Sequence, residues 1–224
     1  MKDSMNKNVQ DGLGQDDNSK HRAAASRKAA FVRETRALIA SGGVEAVSLN
    51  EVLRLAGGSK ATVVKYYGNR AGLIAAAIEE SARELMQQLI LTPDGKNVIK
   101  SDIKQSLSTV LTGLLQFYLM PDSLSIYRAV ITARDGSGNL AESFYRTAQQ
   151  FIVSEFAAYL NNWLGRGLRP DLDCMEAASQ LTHMVRAGLY ERVLLGIEPS
   201  IPNGNEIAKQ AEKTAHLFLH GAAG

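Results

Sequence analysis

The 224-residue sequence predicts an all-α fold. Apolar residues recur at helical spacing along nearly the whole chain, no stretch alternates apolar and polar residues between hairpin turns, and the breaks fall at residues that end or redirect helices. A 45% hydrophobic content is enough for an ordinary core in a small N-terminal module and a larger body. One cysteine, Cys174, excludes an internal disulfide framework and suits a reducing compartment. No run approaches the roughly 18 to 20 apolar residues of a membrane span, and the first residues lack the apolar core of an export signal. The expectation is a soluble, cytoplasmic protein.

Residues 1–22 read as a disordered tail, because the first 19 are rich in Asp, Asn, Gln, Ser and Gly and too poor in large apolar side chains to offset ordering entropy. A first helix over 26–41 places Phe31, Leu38 and Ile39 on one stripe and ends at Gly42-Gly43. Ser48 is a natural N-cap with Glu51 three residues on, the capping-box arrangement, and Val52, Leu53 and Ala56 share a face of the second helix. Gly57-Gly58 break the chain, Ser59 caps a short third helix over 60–67, and Gly68-Asn69 end it. Two short helices around a glycine turn form a helix-turn-helix, assigned to residues 23–70. Asn69 caps a long helix over 70–91 with Leu73, Ile74, Ala77, Ile78 and Leu85. It opens a helical body, residues 71–224, with further helices at 101–119, 123–134, 139–164, 173–195 and 205–219. Pro121 and the turns at 135–138, 165–170 and 199–204 separate them.

Charge divides along the same boundary. Residues 20–70 carry ten Lys/Arg against three Glu, whereas from residue 71 onward 13 Lys/Arg face 16 Asp/Glu. A basic head on a slightly acidic body is the footprint of a module that meets a polyanion, although a solvated basic surface gives the same count. On the third helix, Val63, Tyr66 and Tyr67 fall on one face, toward the module's core. The opposite arc presents Ala61 and Lys65, flanked by Thr62 and Val64, with Lys60 in the first turn. Small, hydroxyl and cationic groups suit a major groove: Thr62 donates to a phosphate, Lys65 reaches a phosphate or a guanine edge, and Ala61 allows close approach. Asn69 and Arg70 add phosphate contacts at the start of the fourth helix. Lys20, Arg22, Arg27 and Lys28 read equally as a minor-groove arm or a solvated tail.

The run from Ala56 through Gly57-Gly58-Ser59-Lys60-Ala61-Thr62-Val63-Val64-Lys65-Tyr66-Tyr67-Gly68-Asn69-Arg70 to Leu73 resembles the helix-turn-helix of the tetracycline-repressor (TetR) family, a likeness extending over about residues 26–75. The segment from Ser125 onward, with 140–145 and Gly188-Leu189-Tyr190, is similar to the AefR-like branch of that family. These resemblances imply a sequence-specific regulator of a double-stranded DNA operator. It would be a homodimer paired through its last two long helices, at 173–195 and 205–219, and a repressor released by a small-molecule effector bound in the body. The DNA contacts expected are Ser48, Ser59, Lys60, Ala61, Thr62, Val64, Lys65, Tyr66, Asn69 and Arg70. Val64 departs from the family's usual tyrosine and offers an apolar contact to a thymine methyl. Gly58 departs from the usual Val or Ile, and its missing side chain is expected to loosen the module by roughly 1 kcal/mol.

For the effector pocket the candidates are Phe117, Tyr118, Tyr127, Arg128, Phe144, Phe151 and Met184, with core packing the competing role for each apolar one and a surface ion pair for Arg128. No metal or cofactor is expected: His216 and His220 stand at i, i+4 without supporting ligands. Neither a nucleophile elbow nor a Gly-rich phosphate loop is present, so no enzyme is expected. Two rival readings stay open, a helical interaction or ligand-binding protein with a degenerate head, and a helical enzyme acting in the body.

Overall fold

The computed structural model describes residues 8–90, 102–132 and 139–222, and every named element among them is helical. The head comprises α1 (Asn8–Gly42), a 3-10 turn (Val44–Ala46), α2 (Leu49–Ala56) and α3 (Lys60–Tyr67), and α4 (Arg70–Ile90) leads from it into the body. The body continues with α5 (Ile103–Tyr118), α6 (Pro121–Thr132), α7 (Asn139–Phe144), a π-helical stretch (Tyr145–Gln149) and α8 (Gln150–Asn161). It ends with α9 (Cys174–Arg186), α10 (Leu189–Leu194) and α11 (Gly204–Ala222).

Three expectations need correction. The tail expected to be disordered is helical from Asn8, so that α1 runs for 35 residues, while residues 1–7 lie outside the described part. Once the segment around buried Phe31 has nucleated a helix, adding polar residues upstream costs little. Lys20, Arg22, Arg27 and Lys28 therefore sit on a helix and not on an extended arm. The helix expected over 173–195 is two helices: Ala187 leaves helical geometry and Gly188 adopts φ 79°, a left-handed value that favours glycine. Pro121, read as a break, is instead the first residue of α6, where its missing N–H has no intrahelical partner to lose.

Two cores organise the chain. The head core gathers Phe31, Ile39, Val44, Val47, Val52 and Val63 around Leu73, Ile74, Ala77 and Ile78 of α4. The body core joins Leu107, Leu111, Leu114 and Leu115 of α5 to Phe156 and Leu160 of α8, Leu181 and Val185 of α9, and Ala211 and Ala215 of α11. The cores meet at α6, where Ile126 belongs to the head core while Tyr127 packs against the body core. Ala148, in the π-helical stretch, also joins the head core. A second tie is an ion pair, Arg36 of α1 donating to both carboxylate oxygens of Glu84 on α4 at 2.8 and 2.7 Å.

Candidate nucleic-acid interface and buried body site

The third helix is held rigidly from both ends. Ser59 Oγ accepts from the Thr62 N–H at 3.2 Å and lies 2.9 Å from the Thr62 hydroxyl, and Gly68 closes the other end through its N–H on the Val64 carbonyl. Val63 is fully buried beneath the helix, and Tyr66 and Tyr67 are partly buried against the head core. Tyr67 donates its hydroxyl to the Lys28 carbonyl at 3.1 Å, and the Lys28 ammonium sits 4.5 Å from the centre of the Tyr66 ring. With one face fastened to α1, the other stays in solvent: Lys60, Ala61 and Lys65 are exposed, and Val64 is 45% exposed although it is a large apolar side chain.

Several expected DNA contacts have structural work as well. Ser48 Oγ accepts from the Glu51 N–H at 3.1 Å, but the Glu51 carboxylate turns away to Arg54 at 2.6 and 3.0 Å, so half of the expected capping box is replaced by an ion pair. Asn69 Oδ1 caps α4 through the Gly72 N–H at 3.0 Å. Arg70, expected as a phosphate contact, serves as an internal clamp. Its Nε and Nη2 donate to the carbonyls of Val47 and Val44, both at 2.6 Å, and Nη2 stands 3.8 Å from Glu45. These carbonyls flank the turn before α2, and a guanidinium fork satisfies both at once. Arg70→Ala is expected to lower the stability of the head by about 2–4 kcal/mol, the cost of two charge-assisted bonds and two stranded carbonyls, read as a fall in melting temperature that Arg70→Lys only partly restores.

Gly58 also behaves against expectation. Its φ is +96°, and a Cβ built there would stand 3.0 Å from the Phe31 ring, which is itself fully buried. The neighbouring phenyl fills the space that a larger residue would claim, so glycine here marks a tight backbone approach and not a missing anchor.

In the body, Phe117 and Tyr118 are buried and Tyr127, Phe144, Phe151 and Met184 are partly so. Tyr127 forms edge-on contacts with Phe144 at 5.6 Å and with Tyr190 at 5.8 Å, and Tyr190 lies 5.9 Å from Tyr118. Four of the seven candidates, Phe117, Tyr118, Tyr127 and Phe144, thus belong to one aromatic cluster. Phe151 is elsewhere, under the Arg83 guanidinium at 4.6 Å and beside a wide surface groove between α8 and α9. Arg128, expected as a ligand contact, clamps two helices: it donates to the carbonyls of Leu194 and Val193 at 3.0 and 2.9 Å, tying α6 to the end of α10. That end otherwise has free acceptors and a favourable dipole for a cation.

The sequence reading missed Arg186, which is 6% exposed at the centre of the aromatic cluster. Its signal was available, since the positions one turn away are Thr182, His183, Leu189 and Tyr190, offering no acid to pair with. A separate pocket of about 280 Å³ opens between head and body, lined by Ile39, Ile78, Leu85, Phe117, Met120 and Ile126 with Arg36, Glu84 and Asp122 around it. The His216 and His220 rings are 4.0 Å apart on α11, and among the described residues no group of three or more His, Cys, Asp or Glu could hold a metal ion. Among these residues no helix is long and apolar enough to cross a membrane.

Comparison with known proteins gives two family matches. Residues 31–77 match the model of bacterial regulatory proteins of the tetR family, and residues 105–221 match that of the AefR-like transcriptional repressor C-terminal domain. No curated protein sequence matches the chain. Among solved structures, a protein of Mesorhizobium loti assigned to the TetR-family transcriptional regulators superposes with a TM-score of 0.66 at 18% identity, covering 88% of this chain and 97% of its own. The flavonoid-responsive regulator FrrA gives 0.61 at 21% identity, with 87% and 96% covered. The fatty acid degradation regulator FadR of Bacillus halodurans gives 0.54 at 14%, with 87% and 95% covered. At these identities the likeness is one of fold.

Proposed function

The chain belongs to the TetR family of bacterial transcriptional regulators, a DNA-binding regulator with a ligand-binding C-terminal domain, and from that premise we propose that it represses transcription as a homodimer released from its operator by a small-molecule effector. The observation that carries the reading is α3, whose inner face is fastened by Val63, Tyr66 and Tyr67 while Lys60, Ala61, Val64 and Lys65 stand free on the outer one. Exposing an apolar Val64 between two lysines has no packing benefit within this chain, and it complements a groove that offers thymine methyls beside acceptors and phosphates. Ser59 and Ser48 position the helices, and their contacts to DNA would be through the same capped turns.

Pairing is proposed through α11 and the α9–α10 segment. Large apolar side chains stay exposed on α11 and in the loop that joins α10 to it, with Leu217 at 65% on the helix and Leu195 at 72%, Ile197 at 67% and Ile201 at 48% in the loop. A second copy covering them would remove apolar area from water and set two recognition helices on successive major grooves of a pseudo-palindrome. The protein would act at the nucleoid, in the cytoplasm.

Communication between effector and DNA is assigned to α6, because adjacent residues Ile126 and Tyr127 face the head core and the aromatic cluster. An effector that shifts Tyr127 displaces Ile126, and the DNA-bound and effector-bound states then compete with equal and reciprocal coupling.

Fluorescence anisotropy with the duplex flanking the protein's own gene, against a scrambled duplex at two salt concentrations, tests the reading. A strong preference for one segment that weakens steeply with salt is expected, the logarithm of the binding constant falling by about 0.9 per phosphate neutralised for each decade of salt. Equal, weak binding to both duplexes across a wider operator search would sink it.

A further inference from the structure

Arg186 is a buried cation that, among the described residues, has no carboxylate within ion-pair distance. Three phenols surround it: the guanidinium carbon lies 4.9 Å from the ring centre of Tyr118, 5.7 Å from that of Tyr127 and 5.8 Å from that of Tyr190. Its Nε donates to the Thr182 carbonyl at 2.9 Å and its Nη1 to the Tyr127 hydroxyl at 3.1 Å. The Tyr118 hydroxyl, fully buried beside it, has no hydrogen-bond partner among the described residues. Burial pushes this phenol up to about 12, so it keeps its proton near neutrality and remains a donor.

Ring faces and neutral oxygens compensate a desolvated guanidinium only in part. A nearby hydroxyl without a partner is a second unmet demand, and one group answers both: an oxyanion. Resting on the reading that the body binds an effector, we propose that this cage recognises the carboxylate of an apolar or aromatic acid, with Arg186 holding the anion and Tyr118 donating to it. The Thr182 carbonyl fixes the guanidinium from the preceding turn, so little ordering is left for binding. Tyr127 is the only partly exposed ring of the three and is the one that gives way, its neutral oxygen exchanged for a charge-assisted partner. Phe117, 6.0 Å from Tyr118, and Phe144 bound the cage on its outer sides, which is why the remainder of the acid must be apolar. Displacing Tyr127 moves the helix that carries Ile126 into the head core.

The test is thermal unfolding of the full chain with sodium benzoate, phenylacetate and octanoate, each beside its neutral amide. For the wild type at least one carboxylate is expected to raise the melting temperature dose-dependently while its amide does not. Arg186→Met should abolish the response, and Tyr118→Phe should weaken apparent affinity roughly tenfold or more, the loss of one bond to a charged group. Should Arg186→Met fail to fold, Tyr118→Phe and Arg186→Lys carry the test, the latter keeping the preference for acid over amide at lower affinity. Amides that stabilise as well as acids, no carboxylate outperforming its amide, or a Tyr118→Phe variant with wild-type response would each overturn the proposal. Operator anisotropy in the same solutions separates the two readings. Acid binding by a chain that binds no specific DNA would count against the regulator reading alone, and specific DNA binding without acid selectivity would count against the cage alone.

Discussion

Thr62→Ala/Lys65→Ala is expected to lower operator affinity by about 2–4 kcal/mol, roughly 30- to 1,000-fold, while leaving the fold intact. Lys65 is exposed and Thr62 lies at the edge of the exposed arc, so neither supports the core. The Thr62 hydroxyl does meet Ser59 Oγ at 2.9 Å, but the cap itself is the bond that the Thr62 backbone N–H donates to Ser59 Oγ, which the alanine keeps. The two side chains should separate in their salt behaviour. Lys65→Ala is expected to reduce the salt slope by about one phosphate, and Thr62→Ala to leave it nearly unchanged. Anisotropy at several salt concentrations, with circular dichroism as the check on folding, reads both. A double variant binding within threefold of wild type would mean that α3 does not enter the groove by this face.

Gly58→Val, the substitution that restores the residue type usual in the family, is expected to destabilise this chain by about 2–6 kcal/mol. A β-branched residue at φ +96° carries backbone strain of about 1–3 kcal/mol, and its Cβ would press on the Phe31 ring at 3.0 Å, an overpacking cost of about 1–3 kcal/mol. For a chain of this length the melting temperature should fall by roughly 4–24 °C. The two views of Gly58 give opposite signs: a lost anchor predicts that valine stabilises, a tight approach predicts that it harms. A melt of the single variant decides between them.

That reversal shows where sequence reading reaches its limit. The caps at Ser48, Ser59 and Asn69 and the exposed arc of α3 were legible because caps and helical faces depend on residues within one turn of each other. Gly58 was not, because its meaning depends on Phe31, 27 positions earlier. The internal partners of Arg70 and Arg128 were hidden for the same reason. A cation near a proposed site looks available in the sequence, and the carbonyls that engage these two lie 23 to 26 and 65 to 66 residues away. The aromatic cluster was read in part, since Tyr118 and Tyr127 were candidates whereas the cation they surround came from another helix and Tyr190 was seen only as part of a family likeness.

The sharing of α4 and α6 between the two cores bears on how the molecule comes apart. A head joined to its body by a free linker would melt by itself, and its unfolding could be followed without disturbing the rest. Here Leu73, Ile74 and Ile78 of α4 and Ile126 of α6 are part of what the head folds around, while Ala82 and Met86 farther along α4 and Leu124 of α6 lie in the other core. Melting the head exposes one flank of two helices whose opposite flank is still packed, so each core loses its template when the other opens. Calorimetry should show a single transition, and the proteolytic fragment ending after α3 should not persist as a folded unit.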